Sequence, residues 1–358
     1  MKIGILTVYF ADYGSYYQAV SLCKAIQSLG HECELINESV RYWRSPRLWA
    51  GHIGTVFLPE KVKRAIGKKV AAYNNYLNLQ KAISKQTISE ARLSIKKLSA
   101  EYDCVIIGSD ELWSATNPLT RYVPSYFGYG LRCPRISYST SGITMENPDQ
   151  KLEQKMKRGL QSFTCLAVRD VYTQEWVERL SEKKCELVID PTLLYPFFVQ
   201  DDVGGGGYIA VYGEHFAPDQ VEAITSYAQK NDILLKAISW QHDWCDEFCD
   251  VHSPEQLQQV FAKSEYSMVS TFHGTIFSML HHRNFTAFTS QLRGKKIRLL
   301  LEMFGLQDRI FKGRILEKNI EYDIFEKTLE MWRKKSWDYL NNALYKIGEV
   351  KQNDFMRT

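Results

Sequence analysis

The sequence predicts an α/β fold of two Rossmann-like, doubly wound domains that face each other across a cleft. The chain has 358 residues, which at roughly 150 residues per domain indicates two domains. In each half, short apolar runs typical of buried strands alternate with segments of helical period. Pro196–Gly207, which ends in the glycine run 204–207, has the composition of a linker. We expect an N-terminal domain at 1–195, a second domain at 208–312, and C-terminal helices at 313–358 that pack back on the first domain.

The first domain opens with a β-α-β unit. This unit lacks Gly-x-Gly-x-x-Gly, which argues against an ordinary dinucleotide site. Tyr9–Ser15 is predicted to be a loop, and Leu187–Leu194 closes the domain. The predicted elements of this domain are strands at 2–8, 32–36, 104–107, 135–139 and 165–169, and helices at 16–29, 60–85 and 148–163. Those of the remaining chain are strands at 208–212, 234–238, 266–269 and 285–288, and helices at 218–230, 254–262, 295–304 and 322–347.

Composition narrows the class of protein. Lys and Arg number 45 against 41 Asp and Glu, a formal charge of +4, which is too weak and too dispersed for a dedicated nucleic-acid binder. The eight cysteines include no Cys-x-x-Cys pair, so buried free thiols in a reducing cytoplasm fit better than a disulfide framework. No apolar run approaches the ~18 residues of a membrane span, and the N-terminus has the pattern of a strand rather than a signal peptide. We expect a soluble cytoplasmic protein.

Two further clusters carry weaker signals. Cys245 and Cys249 lie close to His242 and His252 in the sequence and form its metal-like cluster, but their spacing is not that of a zinc motif, so we expect no metal. Arg41–Trp49 concentrates three arginines and three aromatic residues. This segment is either a flap over an anionic or sugar ligand, a patch that touches a membrane surface, or a solvated loop.

The stretch Glu265–Leu280 has the pattern of strand, tight turn and helix, with His273 at the turn. In an open α/β sheet this point lies outside the carboxyl end of a strand, where ligands bind. The free N–H groups and the dipole of a helix N-terminus favour an anion. An imidazole titrates near neutral pH, so His273 is a candidate proton donor to a ligand held there. The alternative is a turn residue that is hydrogen-bonded to backbone.

A second sharp turn follows the buried strand Cys104–Ile107. Gly108 allows the backbone to approach a ligand closely, and Ser109 and Asp110 follow it. Asp110 places a carboxylate at the mouth of the sheet, where it can accept hydrogen bonds from hydroxyl groups or take a proton. The alternative role for Asp110 is an N-cap.

Two basic features are candidates for anion binding. Arg169 ends a strand, and its planar guanidinium is a good fork for carboxylate or phosphate; the alternative is a salt bridge to Asp170 or an interaction with a helix. Arg293, Lys295, Lys296 and Arg298 form a basic run at the start of a helix. That run either holds a phosphate or is a solvated basic face.

Several motifs in collinear order resemble the polysaccharide pyruvyl transferase family. The similarity spans about residues 1–312, and the order and spacing of the motifs are more specific than any one of them. The motifs are Asp12-Tyr13-Gly14-Ser15 with Gln18-Ala19, Tyr102-Asp103, Ile107-Gly108-Ser109-Asp110 with Trp113, Val168-Arg169-Asp170, Asp190-Pro191-Thr192-Leu193-Leu194, Phe272-His273-Gly274-Thr275, and the run Lys296–Arg309 that ends in Gly305-Leu306-Gln307-Asp308-Arg309.

The resemblance implies a two-domain fold like that of the GT-B glycosyltransferases. It implies transfer of pyruvate from phosphoenolpyruvate to two hydroxyls of a sugar of a cell-surface polysaccharide, such as a capsule or exopolysaccharide, or of its precursor. The product is a ketal, phosphate is released, and no further cofactor is needed. By position, His273 and Asp110 are the catalytic candidates. The donor-binding candidates are Arg169, Thr271, Gly274, Thr275, Arg293 and Lys295, and the acceptor-binding candidates are Gly14, Gln18, Gly108, Ser109 and Trp113.

The chain departs from the family pattern at several positions. Thr271 stands where some members have an arginine, so a phosphate contact is expected from Arg293 or Lys295. Glu111-Leu112, Ser114 and Asp12 also differ from the usual residues, on the acceptor side. The expected partners are phosphoenolpyruvate and a nucleotide-, lipid- or polymer-linked sugar acceptor, with peripheral contact at the inner membrane face if the acceptor is lipid-linked. The alternatives are a nucleotide-sugar glycosyltransferase of the same fold and a non-catalytic sugar-binding protein.

Overall fold

The structure is a computed structural model that describes residues 1–9, 12–36, 77–79, 81–83, 89–91, 101–116, 122–198, 205–289 and 294–355. In the first half, the described strands are β1 (Lys2–Leu6), β2 (Glu32–Ile36), β3 (Ser89–Ala91), β4 (Cys104–Ile107), β5 (Arg135–Ser137), β6 (Leu166–Val168) and β7 (Cys185–Leu187). The helices of this half are α1 (Tyr13–Ser28), α2 (Gln150–Gln161), α3 (Val171–Ser181) and the single turn α4 (Pro191–Leu194), with a 3-10 turn at Pro124–Phe127. Residues 77–79 and 81–83, within the predicted helix 60–85, are also helical.

The second half repeats the alternation of strands and helices. Its described strands are β8 (Tyr208–Tyr212), β9 (Leu234–Ile238), β10 (Glu247–Cys249), β11 (Tyr266–Val269) and β12 (Asn284–Ala287). Its described helices are α5 (Pro218–Asn231), α6 (Pro254–Lys263), α7 (Phe272–Leu280), α8 (Gly294–Met303) and the long C-terminal α9 (Tyr322–Phe355), with a 3-10 turn at Gln307–Arg309.

The two halves share one sheet topology. The strand order is β3-β2-β1-β4-β5 in the first sheet and β10-β9-β8-β11-β12 in the second, and the pairs within both sheets are parallel. In each sheet the order reverses beside the first strand of that half, which makes both halves doubly wound. Single bridges from β5 and Thr140 to β6 extend the first sheet towards β7. The predicted fold class is confirmed.

The central strands explain why the sequence forms these sheets. All four residues of β4 are buried, as are all five of β8 and all four of β11. A parallel strand that helices cover on both faces needs a continuous apolar run rather than alternation. β1 pairs with β2 on one side and β4 on the other, so the switch point of the first sheet lies between β1 and β4.

Helix α1 begins earlier than the sequence predicts. The predicted loop through Ser15 is wrong, because the helix begins at Tyr13. A capping box explains the difference: Asp12 Oδ1 accepts a hydrogen bond from the Ser15 backbone N–H at 2.7 Å, and Ser15 Oγ accepts one from the Asp12 N–H at 3.1 Å. The apolar period of the helix becomes regular only after this cap. Gly14 therefore lies in the first turn of a helix rather than in a loop.

Among the described elements, the sequence analysis misses three strands and a helix. They are β3, β7 and β10, of three residues each, and helix α3, of 11 residues. Strands this short with charged residues, as in Glu186 and Glu247, carry no clear period. Helix α3 begins at its N-cap Asp170, whose side chain accepts from the Thr173 N–H at 2.7 Å.

The C-terminal helix α9 packs on the first half of the chain. Arg333 Nε donates to the Leu193 carbonyl at 2.9 Å, and the Ile189 N–H donates to Ser336 Oγ at 3.1 Å. Tyr339 OH donates to the Ser137 carbonyl at 2.7 Å. These three hydrogen bonds join α9 to β5, to α4 and to the segment between β7 and α4. None of the described helices is long and apolar enough to cross a membrane.

His281, at the C-terminal end of α7, makes the stability of the fold depend on pH. Its side chain is buried, and Nε2 lies 2.7 Å from Gln258 Oε1 on α6. Burial, together with the smaller effect of the neighbouring His282, lowers the pKa of His281 to about 4. The unfolded chain binds this proton near pH 6.5 and the folded chain only near pH 4, so the free energy of unfolding decreases as pH falls between these values.

Urea unfolding at pH 7.5 and pH 5 tests this dependence. The His281 contribution is expected to be about 2 kcal/mol less stability at pH 5. His281→Gln should lose that part of the pH dependence, whereas His282→Gln, at an exposed neighbouring position, should keep it. An unchanged pH dependence in His281→Gln would contradict the assignment.

Candidate active site

The switch points of the two sheets supply the loops that carry the candidate residues. From the first sheet come α1, which follows β1, the turn after β4, and Arg169 after β6. From the second sheet comes α7, which follows β11. In doubly wound sheets the carboxyl ends of the strands at the switch point form the ligand crevice. Residues from both halves meet here, so the candidate site lies between the two sheets.

His273 is the second residue of α7, and its side chain is 14% exposed. Thr271 is the N-cap of this helix: its Oγ1 accepts from the Gly274 N–H at 3.0 Å. Thr275 Oγ1 donates to the Thr271 carbonyl at 3.0 Å. The hydroxyls of Thr271 and Thr275 are thus used within the first turn of the helix, and they fix the point from which the imidazole projects.

Gly14 makes room for the imidazole of His273. A Cβ atom at position 14 would lie 2.2 Å from His273 Nδ1, a distance that non-bonded heavy atoms do not reach. The first turn of α1 therefore contacts the imidazole directly, and only glycine fits between them. This contact joins the first half of the chain to the candidate acid of the second half.

Asp190, the N-cap of α4, lies at the centre of the site. The carboxylate is buried, and Oδ2 accepts from Arg169 Nη1 at 2.9 Å. Oδ1 accepts from the Thr192 N–H at 3.0 Å and lies 3.8 Å from His273 Nε2, which is an electrostatic contact rather than a hydrogen bond. Burial alone would raise the pKa of Asp190, but His273, Arg169 and the Thr192 N–H outweigh it and hold this pKa well below its usual range. The carboxylate stays ionised.

Nε2 of His273 is a buried polar atom with no hydrogen-bond partner in the described part of the chain. Buried polar side-chain atoms are usually paired, so an unpaired one calls for an explanation. Nε2 lies 3.8 Å from Asp190 Oδ1, and none of the described residues offers it an acceptor at hydrogen-bond distance. This arrangement suits a group that gives its proton to a ligand.

Arg169 is buried and has acidic neighbours on more than one side. Nη1 contacts Asp190 and lies 3.3 Å from Gln18 Oε1, and Nη2 lies 3.7 Å from Asp110 Oδ1. The guanidinium also lies over the Phe272 ring, 4.6 Å from its centroid. The alternative of a salt bridge to Asp170 is wrong, since the described contacts of Asp170 are with Ser141 and Thr173.

Asp110 lies beside Arg169 at the mouth of the first sheet, with 26% of its side chain exposed. Oδ1 accepts from the adjacent Glu111 N–H at 2.7 Å at the start of the short turn that follows. Gly108 has φ +121°, and a Cβ there would lie 2.2 Å from the Tyr138 carbonyl oxygen. Thr7 Oγ1 donates to the Ser109 carbonyl at 2.8 Å. These backbone contacts lock the turn that presents Asp110.

A small cavity of about 20 Å³ lies next to this cluster. Arg169, Asp190, Phe272 and Lys296 line it together with apolar side chains of α8. Lys296 Nζ lies 5.9 Å from the Phe272 ring centroid and 3.8 Å from Glu111 Oε2. The cavity is therefore bounded by cations from both halves of the chain.

Glu111 joins the two halves at the rim of the cavity. Its Oε1 accepts from Ser114 Oγ at 2.9 Å and also from Thr144 Oγ1. Lys296 on α8 pairs with its other oxygen. Lys295, which the sequence suggested, instead has Nζ 5.2 Å from the Tyr172 ring centroid, further out on the rim. Arg293 and the Arg41–Trp49 segment lie outside the described residues.

The acceptor-side candidates separate into two groups. Gly14 and Gln18 contact His273 and Arg169, and Gly108 and Ser109 form the turn before Asp110. Trp113 is fully buried in the core of the first half, where its Nε1 donates to the Tyr126 carbonyl at 2.7 Å. The structure therefore brings the first group to the cleft and places Trp113 in the packing behind it.

No group of three His, Cys, Asp or Glu residues within the described ranges could hold a metal ion. His242 stacks on Trp244 with ring centroids 5.0 Å apart, and its Nε2 lies 2.9 Å from the Gly213 carbonyl oxygen. The metal-like cluster of the sequence is thus not assembled. All eight cysteines are free.

Comparison with known protein families identifies the family of this chain. The family model described as polysaccharide pyruvyl transferase matches residues 12–291, which is most of the chain. The chain belongs to this family. The matched range contains Gly14, Asp110, Arg169, Asp190 and His273 and stops just before the described start of α8. No curated protein matches the chain closely enough to count as a relative.

Solved structures place this pyruvyl transferase family member in the GT-B fold. UGT73P12 of Glycyrrhiza uralensis, solved with glycyrrhetinic acid 3-O-monoglucuronide, has a TM-score of 0.53 at 7% identity, covering 100% of this chain and 97% of that one. The UDP-GlcNAc 2-epimerase of Methanocaldococcus jannaschii has a TM-score of 0.49 at 11% identity, covering 97% of this chain and 100% of that one. At 7% identity the likeness to UGT73P12 concerns the fold alone, and it agrees with the two doubly wound domains.

Two residues of the site were not named individually as site residues from the sequence. Asp190 stands in the Asp-Pro-Thr-Leu-Leu motif, where a proline after an acidic residue signals a helix start, but nothing in that motif shows which cation it meets. Lys296 was set beside Lys295 in the basic run. The position on the helix distinguishes Lys296 from Lys295. One face of α8 carries Lys296, Leu299, Leu300 and Met303, and that face lines the cavity.

Proposed function

We propose that this protein transfers pyruvate from phosphoenolpyruvate to a sugar of a cell-surface polysaccharide or of its precursor, forming a pyruvate ketal and releasing phosphate. The observation that carries the proposal is the convergence of Arg169 and His273, from opposite halves of the chain, on the buried carboxylate of Asp190. Membership of the pyruvyl transferase family supports the reaction class.

The cations beside the cavity suit the charges of a compact ligand with a phosphate and a carboxylate, which would occupy the adjoining cleft because about 20 Å³ holds roughly one water. Arg169 offers a rigid fork and Lys296 a mobile point charge. The N-terminus of α7 adds backbone N–H groups and the positive end of a helix dipole. In the structure Lys296 is paired with Glu111 and Arg169 with Asp190. Donor binding then draws the Lys296 ammonium from Glu111 towards the ligand and leaves Arg169 anchored by Asp190.

The chemistry begins with proton transfer to carbon. His273 Nε2–H donates its proton to the methylene carbon of phosphoenolpyruvate, which becomes a methyl group, and C2 becomes an oxocarbenium centre stabilised by its phosphate oxygen. A sugar hydroxyl attacks C2 and loses its proton. The C2–O bond to phosphate then breaks, phosphate leaves with the proton of the first hydroxyl, and C2 becomes an oxocarbenium centre again. The second hydroxyl attacks this centre, closes the ketal ring and loses its proton to the imidazole of His273. The Asp190 carboxylate stabilises the imidazolium before the transfer, since unlike charges 3.8 Å apart attract strongly where little water enters.

Asp110 is the proposed base for the sugar hydroxyl. It is the most exposed carboxylate of the cluster, and the turn that presents it is fixed by Gly108 and Ser109. Its contact with Arg169 lies on the first-half side of the cleft, opposite α7. A hydroxyl that hydrogen-bonds to Asp110 would face a ligand held between Arg169 and His273.

The same proposal places the enzyme in the cytoplasm, where unpaired cysteines persist, with phosphoenolpyruvate as donor and no additional cofactor. The free state of the cysteines supports this compartment. The sugar acceptor is nucleotide-, lipid- or polymer-linked.

Thermal unfolding with and without phosphoenolpyruvate tests the donor. A ligand that binds only the native state raises the unfolding temperature. Millimolar phosphoenolpyruvate should raise it for the wild type, and Lys296→Met should weaken this binding by about 10- to 100-fold, because a hydrogen bond to a charged group is lost. Arg298→Met, at an exposed position of the same helix, is the matched control and should keep the wild-type response.

The outcomes distinguish pyruvyl transfer from nucleotide-sugar glycosyl transfer. No response to phosphoenolpyruvate together with clear stabilisation by a UDP-hexose would move the assignment to a nucleotide-sugar glycosyltransferase. Stabilisation by both compounds is compatible with a nucleotide sugar as acceptor. In that case incubation of both should give a product heavier by one pyruvate less one water, with release of phosphate.

A further inference from the structure

The outer face of α9 carries an exposed apolar row that is unusual for a charged surface helix. Ile324, Met331 and Tyr345 are 62%, 59% and 69% exposed, and they lie at seven-residue multiples along the helix. Residues seven apart in a helix lie on nearly the same line, so the three side chains form one row. Asp338 occupies the remaining position of the row.

Lysines flank this row on both sides. Lys327 and Lys334 follow Ile324 and Met331 by three residues, and Lys335 follows Met331 by four. Lys346 lies next to Tyr345. Residues three or four apart are neighbours on a helix surface. The face therefore combines apolar side chains in the middle with ammonium groups at its edges.

A groove of about 660 Å³ opens beside this row, and Met331 and Asp338 are the members of the row that line it. One wall is α9, with Lys334, Lys335 and Lys346, and the other is the turn before β7, with Lys183 and Lys184. Cationic side chains from two separate elements thus face one concave space. Such a cleft concentrates positive potential and attracts anions.

Few of these charges are neutralised by the protein. Lys184 pairs with Glu186 at 2.6 Å, and Lys183 Nζ donates to the carbonyls of Gln161 and Phe163. Lys335 lies over the Trp332 ring at 4.8 Å. Within the described ranges, the three groove lysines of α9 have no carboxylate at ion-pair distance, and Asp338 is the one acid that α9 contributes to the groove.

We propose that this face of α9 binds the surface of an anionic membrane. Phosphate headgroups would meet the groove lysines, and Met331 and Tyr345 would enter the boundary between headgroups and acyl chains. Interfacial helices use this combination of an apolar row and flanking lysines, and lysines near an anionic leaflet add to the affinity one by one. A soluble anion would use the lysines but leave the apolar row without a partner.

The surface is separate from the candidate active site. The groove lies at the amino end of β6, where Thr164 and Cys165 line it, whereas Arg169 follows the carboxyl end of the same strand. Four residues of extended chain span roughly 13 Å. Membrane contact at the groove therefore leaves the cleft between the two halves open, and the inference does not depend on the reaction proposed above.

Sedimentation with lipid vesicles tests the inference on the full-length chain. We expect binding to phosphatidylglycerol vesicles at low salt, little binding to phosphatidylcholine vesicles, and a steep decrease as salt is added. The triple variant Lys334→Gln, Lys335→Gln, Lys346→Gln should bind at least 10-fold more weakly. The matched triple Lys263→Gln, Lys312→Gln, Lys318→Gln, at exposed positions of the second half, should bind as the wild type does.

Two further variants test the geometry of the face. Asp338→Asn removes the acid from the row and should strengthen binding about threefold or more, which a general loss of folding cannot imitate. Met331→Ser with Tyr345→Ser should weaken the binding that remains at high salt. The proposal is overturned if the wild type ignores phosphatidylglycerol vesicles, if the groove triple binds them undiminished, or if the control triple loses as much.

Discussion

Replacing His273 with glutamine is expected to lower the rate of pyruvyl transfer by about 10²- to 10⁴-fold, the usual contribution of a positioned general acid. The glutamine amide can occupy the space of the imidazole, but it has no proton to give at neutral pH. The structure explains why the loss should be in rate rather than in donor affinity. His273 Nε2 is buried and unpaired among the described residues, while the anion contacts of the site come from Arg169, Lys296 and the helix N-terminus.

Two measurements distinguish a loss of transfer rate from a loss of donor affinity. Thermal stabilisation by phosphoenolpyruvate should persist in His273→Gln, while phosphate release with an acceptor found among UDP-hexoses and oligosaccharides should fall. His282→Gln, an exposed histidine beyond the end of the same helix, serves as control and should retain both. Full activity in His273→Gln would remove the imidazole from the chemistry and leave Asp110 as the remaining candidate for proton transfer.

Much of the fold was predictable because buried parallel strands have a simple sequence pattern. β2, β4, β8, β9 and β11 were predicted with the bounds that the structure shows. Each is a run of four or five residues that is mostly apolar and bounded by polar or turn residues. Pattern is less reliable where a strand is only three residues long: β5 and β6 were predicted too long, and β3, β7 and β10 were missed. Packing against neighbours then decides the conformation more than the strand's own residues do.

Helix starts were less predictable than helix cores. Helix α1 begins at Tyr13, three residues before the sequence suggested, and α7 begins at Phe272, so His273 lies in the helix rather than in the turn that the sequence suggested. Apolar period reports the face that is buried, whereas the start is set by a side chain that satisfies the first free N–H groups. Asp12 and Thr271 have this role. The error matters for function, because Gly14 and His273 lie in these two first turns.

The site could be predicted as separate residues but not as an assembly. His273, Arg169 and Asp110 were expected at strand or helix ends, and the structure brings them around Asp190. Sequence spacing does not show which carboxylate an arginine will meet when the partners come from different strands. The Asp190 carboxylate also holds the Arg169 guanidinium in place. Its negative charge persists near neutral pH, because the pKa of Asp190 lies well below its usual range.

Gly14→Ala is expected to lower the transfer rate by about 100-fold without unfolding the protein. The added Cβ would lie 2.2 Å from His273 Nδ1, so the imidazole must move away from α1 and away from its contact with Asp190. A displacement of about 1 Å in a reacting group costs on this scale. Alanine also favours the helix by about 0.5–1 kcal/mol over glycine, which offsets part of the clash. We therefore expect Gly14→Ala to lower the transfer rate while the protein stays folded.

Gly348→Ala is the matched control for this prediction. Gly348 lies in α9, and a Cβ there would meet no atom within 4 Å, so this variant should gain the helix contribution and keep the wild-type rate. Urea unfolding and phosphate release, measured on both variants, give the comparison. Wild-type activity in Gly14→Ala would show that the imidazole works from more than one position. A loss in Gly14→Ala alone would show that the reaction requires the first turn of α1 to hold the acid of the other half against Asp190.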